Sequence, residues 1–113
     1  MARVLRMLKS VTLNTGDTIA LTDSADFVDA CSLDIVIRVE QAGSGTAPLL
    51  KVQHSATNEE GTWIDFSTPA EADLTTAGLT WVHEDAFTRF AGWTVSGTLE
   101  TPAVVTVDVI GKS

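Results

Sequence analysis

The sequence predicts an all-β domain, an antiparallel β-sandwich of about seven or eight strands, with a small closed β-barrel as the alternative. Three observations carry this. Apolar residues recur at every second position, most clearly at Leu33, Ile35, Ile37 and Val39, and a period of two is the mark of a half-buried strand. Turn formers punctuate the runs, as in Gly43-Ser44-Gly45 and Asn58-Glu59-Glu60-Gly61. Sixteen of the 113 residues are threonine, a β-branched type suited to a pleated surface, and no stretch has the spacing of an amphipathic helix.

In chain order, Val4 to Leu8 forms a first strand or an arm, and Asn14-Thr15-Gly16-Asp17 is a turn signal. Thr18 to Thr22 alternates as a short strand. Asp23-Ser24-Ala25-Asp26 either caps one helical turn around Phe27, Val28 and Ala30 or forms an irregular loop. Leu33 to Ala42 is the clearest strand, with Asp34, Val36, Arg38 and Glu40 on its partly solvated face. Pro48 starts the next, where a missing amide hydrogen does least harm; Leu50 and Val52 point one way, Lys51 and Gln53 the other. Thr62 to Phe66 follows, and Leu33 to Phe66 together read as a β-meander. Thr68 to Gly78 reads as a polar connection and Leu79 to His83 as a brief strand. In Ala86 to Val95, Phe87, Arg89, Ala91 and Trp93 alternate with Thr88, Phe90, Gly92 and Thr94, Gly92 marking a bulge or close approach. Ala103 to Ile110 closes the chain.

The length fits one domain, divided into a basic amino-terminal arm or first strand at 1–10 and a single sandwich domain at 11–113. With 44% hydrophobic and 19% charged residues, the composition argues against global disorder. No secretory signal is recognisable and no apolar run nears the roughly 20 residues of a membrane span, so a soluble protein without membrane association is expected. The net charge of −8 disfavours nucleic-acid binding, which needs clustered cations. The charge is uneven: Arg3, Arg6 and Lys9 give residues 1–10 a charge of +3, leaving −11 for the rest. A basic arm on an acidic body suits docking on an acidic neighbour; a terminal strand with solvated charges is the simpler account.

The search for chemistry finds none. A single cysteine, Cys31, excludes an internal disulfide; it reads as a small buried hydrophobe, since Asp29 and Asp34 do not favour a thiolate. His54 and His83 lack metal-ligand spacing. Ser55 adjoins His54, but strand neighbours point to opposite faces. Nucleophile-elbow, P-loop and dinucleotide motifs are absent. The pairs Glu59-Glu60, Glu71/Asp73 and Glu84-Asp85 read as solvated acids, and Asp23, Asp26 and Asp29 lack the regular calcium ladder. No catalytic, cofactor or metal site is therefore assigned, and the chain is not expected to be an enzyme. Trp63, Trp81 and Trp93 read as core or interface anchors, with a sugar-stacking platform as the alternative.

Three runs carry a resemblance: Leu33-Asp34-Ile35-Val36-Ile37, then Gly45 to Ser55 with its Pro48 start and Gln53-His54-Ser55 end, then Gly61-Thr62-Trp63-Ile64-Asp65-Phe66. Phe87-Thr88-Arg89-Phe90 and the valine-rich ending continue the pattern over about two-thirds of the chain. It resembles small β-sandwich structural proteins of tailed bacteriophages, many of which have Asp-Gly where this chain has Asn58 to Gly61. The resemblance implies a virion component assembled in the host cytoplasm: a capsid decoration protein on the major capsid protein, often as a trimer, or a neck or tail protein. A carbohydrate-binding module of a receptor-binding apparatus is the alternative. The interface residues expected are Arg3, Arg6, Lys9, Trp63, Trp81 and Trp93, and the loops Gly43–Ala47 and Asn58–Gly61 are candidate contacts.

Overall fold

The computed structural model describes residues 4–14, 19–85 and 88–112, without the side chains of 19–23, 28 and 29. Eight strands run through them: β1 (Val4–Leu13), β2 (Ile19–Ala30), β3 (Ser32–Gln41), β4 (Ser44–Ser55), β5 (Ile64–Asp73), β6 (Gly78–Glu84), β7 (Thr88–Thr101) and β8 (Ala103–Lys112). They form two four-stranded antiparallel sheets, β1-β8-β3-β6 (sheet A) and β2-β7-β4-β5 (sheet B). Consecutive strands change sheet except at β4–β5. This is the jelly-roll form of the sandwich, and the two open sheets replace the closed barrel.

Alternation places the core. Sheet A sends Met7, Leu33, Ile35, Ile37, Val39, Val105, Val107 and Val109 inward, and sheet B answers with Phe27, Leu50, Val52, Phe66, Ala91, Trp93, Val95 and Leu99. With roughly 25 cal/mol for each Å² of apolar surface removed from water, such an interior is the main favourable term.

Several sequence expectations are corrected. The meander does not form, because β3 lies in sheet A while β4 and β5 pair in sheet B; alternation identifies strands but not their partners. Gly43–Ala47 is no free loop. From Ser44 onward it is β4, paired with the end of β7, and the Gly43 amide donates to the Leu74 carbonyl at 2.9 Å. Pro48 sits inside β4, where the ladder slips between Thr46 and Leu49, so its missing donor falls at an irregularity. The capped turn or loop expected around Phe27 is strand β2, with Phe27 in the core.

The connection read over Thr68 to Gly78 is largely β5, its small core residues Ala70 and Ala72 giving little hydrophobic signal. Gly92 pairs regularly with Ser24 and Gln53. At Gly97 φ is +78° and a β-carbon would lie 2.2 Å from the Ala47 carbonyl oxygen, so backbone approaches closely there. Cys31 is exposed, because it occupies the one-residue β2–β3 link, its Sγ 3.5 Å from the Lys112 carbonyl. The Asn14–Asp17 turn and Phe87 fall wholly or partly outside the described residues.

Candidate functional site

The outer face of sheet A concentrates the molecule's surface chemistry. Strand periodicity aims Asp34, Val36 and Arg38 of β3 outward, opposite His83, Trp81 and Leu79 of β6 and beside Ile110, Asp108 and Thr106 of β8. Asp34 is the hub. Its Oδ1 accepts from the Trp81 indole nitrogen at 3.3 Å and lies 2.8 Å from His83 Nδ1, while Lys112 Nζ stands 3.7 Å from Oδ2. His83 Nε2 meets Asp85 at 2.9 Å.

Both ring nitrogens of His83 therefore face carboxylates, which accept but do not donate when ionised. A neutral imidazole has one N–H, so this geometry favours imidazolium. The hydrogen bonds to Asp34 and then Asp85 raise the His83 pKa, and the bond from His83 is the largest cause holding Asp34 below its ordinary value. A histidine with both ring nitrogens engaged by carboxylates has no free nitrogen to act as a general base, and it stands half-exposed on an open face rather than in a cleft.

A concavity of about 450 Å³ lies at one end of sheet B, lined by residues including His54, Ser55, Ile64, Thr88 and Arg89. Arg89 and Ser55 are committed within the chain, whereas the Thr88 hydroxyl is buried without a hydrogen-bond partner among the described residues. His54 stacks on Phe66 with ring centroids 4.6 Å apart, and Arg89 pairs with Asp26 at 2.9 Å. The Ser55 hydroxyl accepts from the Thr57 and Asn58 amides and lies 2.6 Å from the Thr62 hydroxyl. Thr62 gives its one proton to the Glu59 carbonyl. Ser55 must therefore donate to Thr62, so its proton points away from His54. The pair stitches the Asn58–Gly61 turn and makes no nucleophile–base relay.

The interface candidates are scattered. Arg6 projects from β1, where its guanidinium grips Asp108 of β8 through bonds of 2.8 and 2.7 Å. It is thus held within the chain. Lys9 is exposed on the same strand, and Arg3 is outside the described residues. Trp93 is 1% exposed and belongs to the core, Trp63 is half-buried beside β5, and Trp81 is 70% exposed. Among the described residues, no group of histidine, cysteine and carboxylate side chains is arranged to hold a metal ion. Asp26 of the acidic triplet is in the ion pair with Arg89, while Asp23 and Asp29 have side chains outside the description. Among the described residues no helix is long and apolar enough to cross a membrane.

What the sequence reasoning missed is the Asp34–Trp81–His83 cluster. The signal was present, since each residue lies on the polar phase of its strand, but the pairing that joins β3 to β6 across the intervening strands was not.

No family model matches the sequence, and no curated protein matches it. The fold is similar to that of a Bacillus endospore appendage protein from a family of disulfide-linked pili, with 13% identity, 98% of this chain and 89% of that one covered, and a TM-score of 0.55. It is similar to YomS, derived from the SPBc2 prophage, with 14% identity, 96% of both chains covered and a TM-score of 0.51. PirA is also similar, with 13% identity, 88% and 90% covered, and a TM-score of 0.57. At such identities the likeness is one of fold: the chain forms a jelly-roll sandwich of a kind found in a prophage protein and in a pilus family.

Proposed function

We propose that this chain is a non-enzymatic structural protein of a tailed-phage virion and, within the virion, a capsid decoration protein that binds the major capsid protein and copies of itself. The carrying observation is the outer face of sheet A, where Val4, Leu8, Leu79 and Trp81 are each more than half exposed on a regular four-stranded platform. Large apolar side chains held rigidly in water are the makings of an interface. The sequence resemblance and the fold shared with a prophage-derived protein point the same way.

The mechanism is mass action. A protein that binds the assembled shell better than its free subunits shifts the assembly equilibrium toward the shell. The acidic body, residues 11–113 at net −11, faces solvent and keeps the particle surface soluble.

The test is the protein composition of purified particles. Decoration predicts a copy number proportional to the major capsid protein. A copy number of a single ring would place the chain in the neck or tail instead, and its absence from particles would overturn the virion assignment. The carbohydrate reading asked for two exposed tryptophans on one face. Trp81 stands without a second indole on its face, since Trp93 is buried and Trp63 lies beside the other sheet.

A further inference from the structure

We infer that the concavity at the end of sheet B binds a neutral sugar, one hydroxyl of which pairs with the buried hydroxyl of Thr88. The inference goes beyond a virion role and stands without it.

The cavity forms where four strands begin or end. Antiparallel pairing sets Ala30, the last residue of β2, opposite Thr88, the first of β7. It also sets His54 of β4 opposite Ile64, the first residue of β5. The volume of about 450 Å³ falls in the range of small-molecule sites, roughly 300–1,000 Å³.

Thr88 is the group that calls for a ligand. It is 4% exposed, and its Oγ1 has no hydrogen-bond partner among the described residues. The pairing explains this, because Ala30 opposite offers only a methyl group. A hydroxyl that leaves water without gaining a partner costs free energy, and most buried polar side chains have one. The other two hydroxyls of the wall, Ser55 and Thr62, are bonded to each other and to the backbone of 57–59.

Charge and shape select the class. A wholly apolar ligand would leave Thr88 unpaired. An anion meets a chain at net −8, and an Arg89 already gripped by both carboxylate oxygens of Asp26, at 2.9 and 3.2 Å. A cation meets the same guanidinium, and no described lining residue is acidic. A neutral ligand remains, polar on one side and carbon on the other. Thr88 and His54 serve the polar side; the His54 ring is fixed by stacking on Phe66, and no described residue hydrogen-bonds it. Ala30, Ala56 and Ile64 serve the carbon side, with Ile64 58% exposed. A pyranose has this make-up. Each of its hydroxyls donates and accepts at one atom, as that of Thr88 does, and its C–H face suits an aliphatic wall. A peptide fits less well, since the N–H and C=O of a trans peptide group point opposite ways, turning one of them toward methyl groups. No tryptophan lines the cavity, so the site differs from an indole platform.

The test is an NMR titration of the full chain, following backbone amides, with glucose, galactose, mannose and N-acetylglucosamine at millimolar concentrations and glucuronate as the charged control. At least one neutral sugar is expected to give saturable shifts centred on residues 54–56, 62–64 and 88–89, and glucuronate to bind more weakly than that sugar. Thr88→Val keeps the side-chain shape and removes the unpaired hydroxyl. It is expected to melt no lower than the wild type and to bind at least about tenfold more weakly. Ile64 is mostly exposed, so Ile64→Ala keeps the fold even if Thr88→Val does not, and it is expected to weaken binding by removing the aliphatic wall. Four results would overturn the proposal: no saturable shift with any neutral sugar, shifts confined to other surfaces, glucuronate binding more tightly than every neutral sugar, or both variants binding as tightly as the wild type. The first would leave an ordered water as the partner of Thr88. None of these outcomes bears on whether particles contain the protein, so the two readings fail separately.

Discussion

The β1–β8 ladder runs ten consecutive pairs without a shift, from Val4–Lys112 to Leu13–Ala103, whereas the β4–β7 ladder of the other sheet slips twice within its first few residues. Sheet A is regular nearly throughout, with one slip, at Val39–Gln41 of β3. Every ladder of sheet B is interrupted. Regularity fixes which side chains point where, because a slip of one residue flips the phase of the residues beyond it. Sheet A thus carries an uninterrupted apolar interior and an ordered outer face. The outer face of sheet B holds a polar cluster in which Asp65 accepts from Gln53 at 2.8 Å and pairs with Lys51 at 3.3 Å. The regular sheet and the interrupted one are built by different means, one by side-chain packing and the other by special backbone positions.

Substitutions separate the two means. Ile35 is fully buried at the centre of sheet A, between β8 and β6. Ile35→Ala removes packed methylenes and leaves a cavity, with an expected loss of about 2–5 kcal/mol in denaturant unfolding. In sheet B the sensitive point is backbone. Gly97→Ala forces a side chain onto a left-handed residue, costing about 1–2 kcal/mol, and its β-carbon must also displace the Ala47 carbonyl, 2.2 Å away. Ala47 is itself left-handed, with φ of 45°, so it has little room to yield. If Gly97→Ala proves costlier than Ile35→Ala, the irregular backbone of sheet B, and not the packing of sheet A, is the main determinant of the fold.

The same contrast explains how much is legible in the sequence. Leu33 to Val39 and Val105 to Val109 announce their strands and inward faces because their ladders hold phase. β2 resists reading around Phe27, where the register shifts between Ile19 and Asp23 and again between Asp26 and Ala30. β5 looks shorter than it is because its inward residues beyond Phe66 are alanines. In β7 the core positions change phase between Thr88 and Ala91, so the alternation written through Phe87, Arg89 and Ala91 crosses a real break. The site suffers from a different gap. Asp34, Trp81 and His83 are each visible as outward residues, but only the β3–β6 pairing makes them a cluster. Pairing between distant strands is set by the whole jelly roll rather than by either segment.

The smallest expected effect lies on the outer face of sheet A and has a distinctive pH signature. The His83 pKa is raised from 6.5 by Asp34 and Asp85, and that of Asp34 is lowered from 3.8 chiefly by His83. A raised histidine contributes stability that is fully present below its unfolded pKa and is lost as pH rises through the folded one. A lowered aspartate contributes stability that is present above its unfolded value and is lost as pH falls through the folded one. The pair therefore tightens β3 against β6 between those limits, and the wild type should lose a small increment of thermal stability as pH rises past the raised His83 value. His83→Gln keeps a hydrogen-bonding side chain without the charge, so its melting temperature should be flatter across that range. Half-exposure of the imidazole keeps the effect small through solvent screening. The described cluster on sheet B, Lys51 with Gln53, Asp65 and Glu71, contains no histidine, so substituting Gln53 should leave the near-neutral pH profile unchanged. Identical profiles for wild type and His83→Gln would mean that the cluster does not couple β3 to β6, and that the order of this face comes from the ladder alone.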